Sequence, residues 1–256
     1  MTKQIDEIRN TGRAMKEILN LRGSPVGVRL LKTDTPIPGA VPADGHRYCQ
    51  ALMRARHGEH VVVTAETIAC PAAARAFGFK PLPEPLRTGK GLVGFGITSD
   101  DAVGMKMFEG MTVLEMGAIQ QIDLFPLDKT TEVPDIIVVE DETEKLMWIA
   151  LSSMHVHGGE RIRGSTAVLQ ATCVDSTIIP YVEKRLNYGL GCYGCRDATD
   201  MASGEAILGF PAADLPAITE HLKHLANKAL PHSRGKHAYA ALTKKNVEEE
   251  SSCSEL

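Results

Sequence analysis

The sequence predicts an α+β fold, a mixed sheet with surrounding helices, from three observations. Residues 3–21, 143–155 and 214–228 carry apolar side chains at helical spacing. The runs PVGVRLL (25–31), HVVVT (60–64), AIQQIDLFPL (118–127) and DIIVVE (135–140) have the β-branched, near-continuous apolar character of strands. The two kinds of segment do not alternate in the regular rhythm of a parallel sheet. One domain over residues 1–246 is expected, followed by a disordered, acidic, Ser-rich tail at 247–256.

Taken in order, Ile5, Ile8, Met15, Ile18 and Leu19 give the first helix its apolar face, with Gly23 as its expected stop. After the strand at 25–31, the Pro/Gly-rich stretch 34–45 predicts a loop, then a helix over 47–57 and the strand at 60–64. In TIACPAAARAFGF, Pro71 suits the first helical position, the alanines favour helix and Gly78 ends it, which puts Cys70 at the N-cap. A helix is predicted over 100–111, then the strands at 118–127 and 135–140. The helix at 143–155 is followed by RIRGSTAVLQATC (161–173), which reads as one or two strands. Asp214 is a plausible N-cap for the helix at 214–228, and 236–245 adds a last helix.

An internal echo accompanies this layout. RARHGEHVVVTAETIAC (54–70) and MHVHGGERIRGSTAVLQATC (154–173) each run from a His-Gly-Glu turn through a β-branched stretch to a cysteine. A degenerate two-fold repeat with Cys70 and Cys173 as counterparts is one reading, and coincidence between two helix–turn–strand units is the other.

Composition narrows the function. The chain of 256 residues has a formal net charge of −4, with 43% apolar and 23% charged residues, an ordinary globular balance. No basic stripe with interleaved aromatics points to nucleic acid, and no apolar run approaches the length that spans a bilayer. The first twenty residues are charged throughout and lack a signal-peptide core. A cytoplasmic protein with reduced thiols is therefore expected, so its six cysteines read as ligands or redox groups before disulfides.

The densest chemistry lies in YGLGCYGCRDAT (188–199). A C-x-x-C lets Cys192 and Cys195 face one metal ion or each other. Gly189, Gly191 and Gly194 supply backbone freedom and leave amides open to sulfur, and Arg196 is expected to favour thiolate. At a helix N-terminus the Cys70 thiol should have a lowered pKa, and Cys70-Pro71 resembles the Cys-Pro that accompanies iron–sulfur ligands. Cys49 and Cys173 are single candidates, with burial as small hydrophobes the competing reading. Cys253, in the tail, is set aside. Structural zinc draws on two tight pairs and only one is present, whereas iron–sulfur clusters accept scattered single cysteines at separate corners.

Other motifs carry less. RTGKGLVGFG (87–96) lacks the Ser or Thr after Lys90 that a phosphate loop needs. It reads as a packed glycine-rich loop and strand, or as amides of Gly91 and Gly94 lining a pocket over the cluster. HVH (155–157) suits helix C-capping better than metal ligation. Arg161 and Arg163 alternate on their expected strand and read as a solvated face or as anion ligands. Paired acids, a Ser-His-Asp set and a dinucleotide G-x-G-x-x-G are all missing.

YCQALMRARHGE, ETIACPAAARAFGF, GERIRGSTAVLQATC and above all GLGCYGCRDATD followed by GFPAADLPAI resemble the family called domain of unknown function 169, found in bacteria and archaea and common in anaerobes and methanogens. The resemblance covers roughly residues 5–245 and implies a single domain. It places Cys49, Cys70, Cys173, Cys192 and Cys195 in shared motifs and leaves Cys253 outside. Its anaerobic distribution implies an oxygen-sensitive cluster more readily than zinc, while no activity comes with the family.

The expectation is an iron–sulfur protein of anaerobic metabolism, with one [4Fe–4S] cluster serving electron transfer or reductive chemistry. Cys192, Cys195 and Cys70 are the expected ligands, with either Cys49 or Cys173 as the fourth. Arg161, Arg163, Gly91 and Gly94 are the expected lining of an adjoining pocket. The alternatives are a zinc-stabilised or tetrapyrrole- or corrinoid-binding carrier and a thiol–disulfide oxidoreductase using Cys192 and Cys195. The expected partner is a redox protein or small molecule, with self-association a further option.

Overall fold

The computed structural model describes residues 2–243, so the tail and Cys253 lie outside the described residues. Helix α1 (Thr2–Leu19) ends where Asn20 turns left-handed at φ 54°, short of the expected stop. Gly23 serves another purpose, because a Cβ there would collide with the Arg56 side chain. Strand β1 (Val26–Leu31) follows as expected, and the Pro/Gly-rich loop contributes a short strand, β2 (Val41–Pro42). Helix α2 (Tyr48–Arg56) and strand β3 (Val61–Thr64) lead to α3 (Pro71–Ala76), which starts on Pro71 with Cys70 as N-cap. Gly78 takes φ 72° against the Glu115 carbonyl, where no side chain fits.

The glycine-rich stretch departs from its predicted loop and strand. It forms two short helices, α4 (Glu84–Arg87) and α5 (Lys90–Gly94), folded against α6 (Asp101–Glu109). At Gly89, φ is 80° and the backbone abuts Asp101 and Met105 of α6, so local helix formation wins over extension. Asp100 caps α6 by accepting from the Val103 amide at 3.0 Å. Strands β4 (Gln121–Pro126) and β5 (Ile136–Glu142) and helix α7 (Thr143–Val156) match the sequence pattern.

The predicted strands at 161–173 are not formed. Residues 160–167 are irregular, and Ala171–Ile178 is a π-helix running into α8 (Ile179–Glu183). β-branched composition suggested a strand, but every residue of this helix is buried, and local side-chain bonds replace a ladder. Ser176 Oγ and Thr177 Oγ1 both donate to the Thr172 carbonyl, at 2.8 and 2.9 Å. Pro180 has no N–H to offer the preceding turn, and Asn187 Nδ2 takes the Asp175 carbonyl at 2.7 Å. Asn187 opens β6 (Asn187–Gly189), which is followed by α9 (Tyr193–Ala198), β7 (Glu205–Pro211), α10 (Leu215–Ala226) and α11 (Ala229–Arg234). Helical backbone resumes at 237–243.

The seven strands form one sheet in the order β2-β3-β4-β1-β5-β7-β6, mixed because β2 runs parallel to β3 while every other pair is antiparallel. Strands β1, β3 and β4 in one half correspond in order and direction to β5, β6 and β7 in the other, about the β1–β5 seam. Each half then has a cysteine early in a helix before its outer strand, Cys49 in α2 and Cys173 in the π-helix. Each also has one at a helix N-cap after that strand, Cys70 and Cys192. The two-fold relation thus lies in strand order, and it pairs Cys70 with Cys192, where the sequence echo pairs it with Cys173.

Alternation along the strands divides the core. Val28, Ile122, Leu124, Val138 and Ile207 face α2, α3 and the π-helix, while Ile137, Val139, Leu208 and Phe210 face α1, α7 and α10. At Gly209 the π-helix lies directly on β7, and a Cβ would overlap the Ser176 carbonyl. Gly209→Ala should therefore lower stability by about 1–3 kcal/mol through overpacking, read by denaturant unfolding. Gly204→Ala, at a position with open space, should stay within about 0.5 kcal/mol of the parent.

Candidate functional site

All five cysteines among the described residues border one cavity of about 280 Å³ on the first face of the sheet. Four elements bring them there: α2 carries Cys49, the turn into α3 Cys70, the π-helix Cys173, and α9 Cys192 and Cys195. Apolar side chains from the α4–α6 segment, Leu86, Leu92, Phe95, Ile97 and Phe108, supply much of the remaining wall.

Polar contacts lock these elements together. Arg47 Nη1 reaches the Gly194 carbonyl at 3.2 Å and Asp197 at 3.3 Å, fastening the start of α2 to α9. His57 Nε2 and Arg22 Nη2 both contact Asp200 at 2.9 Å just beyond α9. The Tyr48 hydroxyl meets Thr177 Oγ1 at 3.0 Å, tying α2 to the π-helix, and burial pushes its pKa up. Beneath them Arg56 is buried against Glu140 and, at 3.4 Å, Glu205, and burial raises the Glu140 carboxyl despite that cation.

The sulfurs of Cys192 and Cys195 stand 2.7 Å apart. Cys192 caps its own helix by accepting from the Cys195 amide at 3.3 Å, and Thr172 Oγ1 lies 3.0 Å from the Cys195 sulfur. Cys70, Cys173, Cys192 and Cys195 are held protonated. The bond to Cys195 and then burial push Cys192 up. The Cys192 bond pulls Cys195 down, but neighbouring Cys49 and burial prevail and leave it at about 11. Burial, followed by the nearby Cys70, Cys192 and Cys195, raises Cys173.

Two electrostatic expectations are thereby corrected. Burial raises Cys70, outweighing the amides of Ala73 and Ala72 at the helix start; desolvation of a thiolate exceeds the pull of a six-residue helix. Arg196 is occupied elsewhere, donating to the carbonyls of Leu190 at 2.6 Å, Ala202 at 3.0 Å and Glu205 at 3.0 Å. It braces the knuckle without activating a thiol.

Other candidates lie apart from the thiols. Gly91 and Gly94 sit in α5 and do not line the cavity, which receives the side chains of Leu92 and Phe95 instead. Arg161 and Arg163 border a separate groove with His157, Lys184 and Arg185, because their segment never joins the sheet. Within HVH, His157 occupies the C-cap position of α7 and contacts Asp214 at 3.1 Å. His155 stacks on His221 with centroids 3.8 Å apart. Sequence reasoning missed Gln170 and Thr172, whose only signal was their place just ahead of Cys173.

The donor set suits a soft metal, but its spacing discriminates. Two thiolates on one tetrahedral ion with bonds of about 2.3 Å stand roughly 3.8 Å apart, so Cys192 and Cys195 must open before either binds. Among the described residues, no three His, Cys, Asp or Glu side chains are grouped to hold a single ion. Thiols ringed around a cavity fit a larger cluster with separate irons better than one closed zinc site.

The model of the family DUF169, described as "Uncharacterised ArCR", matches residues 14–221, a span containing all five cavity cysteines. Uncharacterized protein MJ0308 of Methanocaldococcus jannaschii is 28% identical over 224 residues, covering 86% of this chain and 95% of that protein. No solved structure matches, and no helix among the described residues is long and apolar enough to cross a membrane.

The raised thiols set a pH dependence. Unfolded cysteine ionises near pH ~8.5 and folded Cys195 near 11, so between these values the unfolded chain binds fewer protons and stability falls as pH rises. In metal-free Cys253→Ser protein the midpoint of urea unfolding should fall as pH rises to about 7, where buried Asp175 ionises, and fall again above about 8.5 as the thiols of the unfolded chain ionise. Alkylation of Cys195 by iodoacetamide should be slow at pH 7 and accelerate toward pH 11.

Proposed function

The chain belongs to the DUF169 family, and we propose that it binds an iron–sulfur cluster in the cysteine cavity and uses it for electron transfer or reductive chemistry. The observation that carries this reading is the convergence of five thiols from four elements on one cavity. We take Cys70, Cys173, Cys192 and Cys195 as the ligand set, because the charges of the other three act on Cys173, and Cys49, which interacts with Cys195, as the fifth thiol on the wall. A bound cluster supplies one-electron chemistry. The chain holds the ligands on braced helices, keeps bulk water back with the apolar wall, and sheds thiol protons on loading. Amides directed at sulfur, from Cys195 and Ala171 toward Cys192, are suited to tuning the potential.

A second reading draws on the 2.7 Å sulfur separation, which suits a dithiol that closes to a disulfide. Against it stand the raised pKa values, with Cys195 at about 11, since exchange needs a thiolate near neutral pH. A zinc carrier would need the thiols to regroup around one ion.

Anaerobic purification with iron, sulfide and zinc analysis tests the proposal. About four irons and four sulfides per chain are expected for a [4Fe–4S] centre. Stoichiometric zinc without sulfide, or no metal at all, overturns it. Cys173→Ser should lose most of the iron and sulfide while Cys49→Ser retains them; the reverse pattern refutes the ligand assignment.

A further inference from the structure

The cavity has a second chemical character that the thiols do not explain. Gln170 lines it, is only 8% exposed, and stands in the left-handed region at φ 55°, ψ 29°. That conformation is rare for a residue without the short polar side chain of Asn or Asp, and it persists only where the surroundings enforce it. The backbone carbonyl of Gln170 is engaged, accepting from the amides of Val174 at 2.8 Å and Asp175 at 3.3 Å and from the Cys173 thiol at 3.6 Å. Its side-chain carboxamide makes no hydrogen bond with any described residue. Its nitrogen and oxygen are not sealed from solvent, unlike Arg56 Nε and Thr219 Oγ1, so the carboxamide of this cavity-lining residue is open to a ligand.

The rest of the wall narrows what that ligand is. Leu169, Leu92 and Phe108 form one apolar cluster with Leu86 and Ile97 packed against it, and all five border the cavity. The single charged residue on the wall, Arg47, is already partnered by Gly194 and Asp197, so a bound carboxylate would have to displace that pair. Gln170 both donates and accepts without charge. A volume of about 280 Å³ lies at the small end of ligand sites.

We propose that this cavity binds a small neutral ligand with an apolar body and one carbonyl or carboxamide group, hydrogen-bonded by the side chain of Gln170. The inference deepens the reductive reading and rests on it only for what happens to the ligand; binding itself asks nothing of the metal. A site that hydrogen-bonds its ligand discriminates strongly against an analogue lacking the bonding group.

Three probes of similar size test this by saturation-transfer NMR on the full-length protein as purified: benzamide, benzoate and ethylbenzene. Benzamide should bind at least tenfold more tightly than either of the others. Gln170→Leu should weaken benzamide tenfold or more and leave ethylbenzene unchanged or tighter. Gln170→Asn tolerates the left-handed backbone and withdraws the amide by one methylene; it should weaken benzamide too, and it stands in if the Leu variant does not fold. A preference for benzoate, equal binding of benzamide and ethylbenzene, or unchanged benzamide affinity in the variant overturns the proposal. Iron and sulfide analysis of the same samples distinguishes its failure from failure of the cluster reading.

Discussion

The contact on which most of the site depends is a backbone-to-backbone one, where the π-helix rests on β7 at Gly209. With no side chain between them, the Ser176 carbonyl lies against the strand, and the whole helix sinks until every residue from Ala171 to Ile178 is buried. That depth puts Thr172 against the Cys195 sulfur and Cys173 and Gln170 on the cavity wall. It also strips water from the turn, so carbonyls freed by the wide helix must find internal donors. Ser176, Thr177 and Asn187 provide them, and Asn187 further receives from the Ser165 amide at 2.8 Å.

Burial on this scale sets the chemistry as well as the shape. Thiols enclosed among apolar side chains resist ionisation, and the helix start at Cys70 does not reverse that. Such a site is quiet toward electrophiles near neutral pH, and any soft cation entering it must displace protons. The positive charges nearby are spent on architecture. Arg47 and Arg196 hold backbone carbonyls around α9, and Arg56 lies between two buried carboxylates under α2. Removing one member of such a buried group leaves the others uncompensated, so this framework constrains the site from below.

The two halves of the sheet explain how residues far apart in the chain meet. Related strands flank the β1–β5 seam, and the helices that follow or precede them cross the same face. Cysteines at equivalent places in each half are thereby directed to common ground. The α4–α6 segment has no equivalent in the second half, and it closes the cavity with apolar side chains. Phe95 at its outer edge and Tyr193 of α9 are 62% and 56% exposed, with rings 6.4 Å apart, and both border the cavity.

Local pattern was enough for the periodic helices, for β1, β3, β4 and β5, for the Pro71 helix start with Cys70 as its cap, and for the five cysteines that belong together. Each of these is written in near-neighbour spacing or in residue type, which act before the chain folds. Tertiary structure decided what short-range pattern leaves ambiguous. Residues 161–173 look like a strand by composition, yet they find no ladder, and the burial offered by Gly209 makes part of them a π-helix. Arg196 sits next to a thiol in sequence but turns to the carbonyls of Leu190, Ala202 and Glu205, which the folded loop around α9 brings within its reach. Gln170 carried no signal beyond its place just ahead of Cys173, since an amide's want of a partner exists only relative to the walls around it. Residue identity named the reactive groups; solvent exclusion and long-range packing, which depend on the whole sheet, determined their protonation, their neighbours and the space they surround.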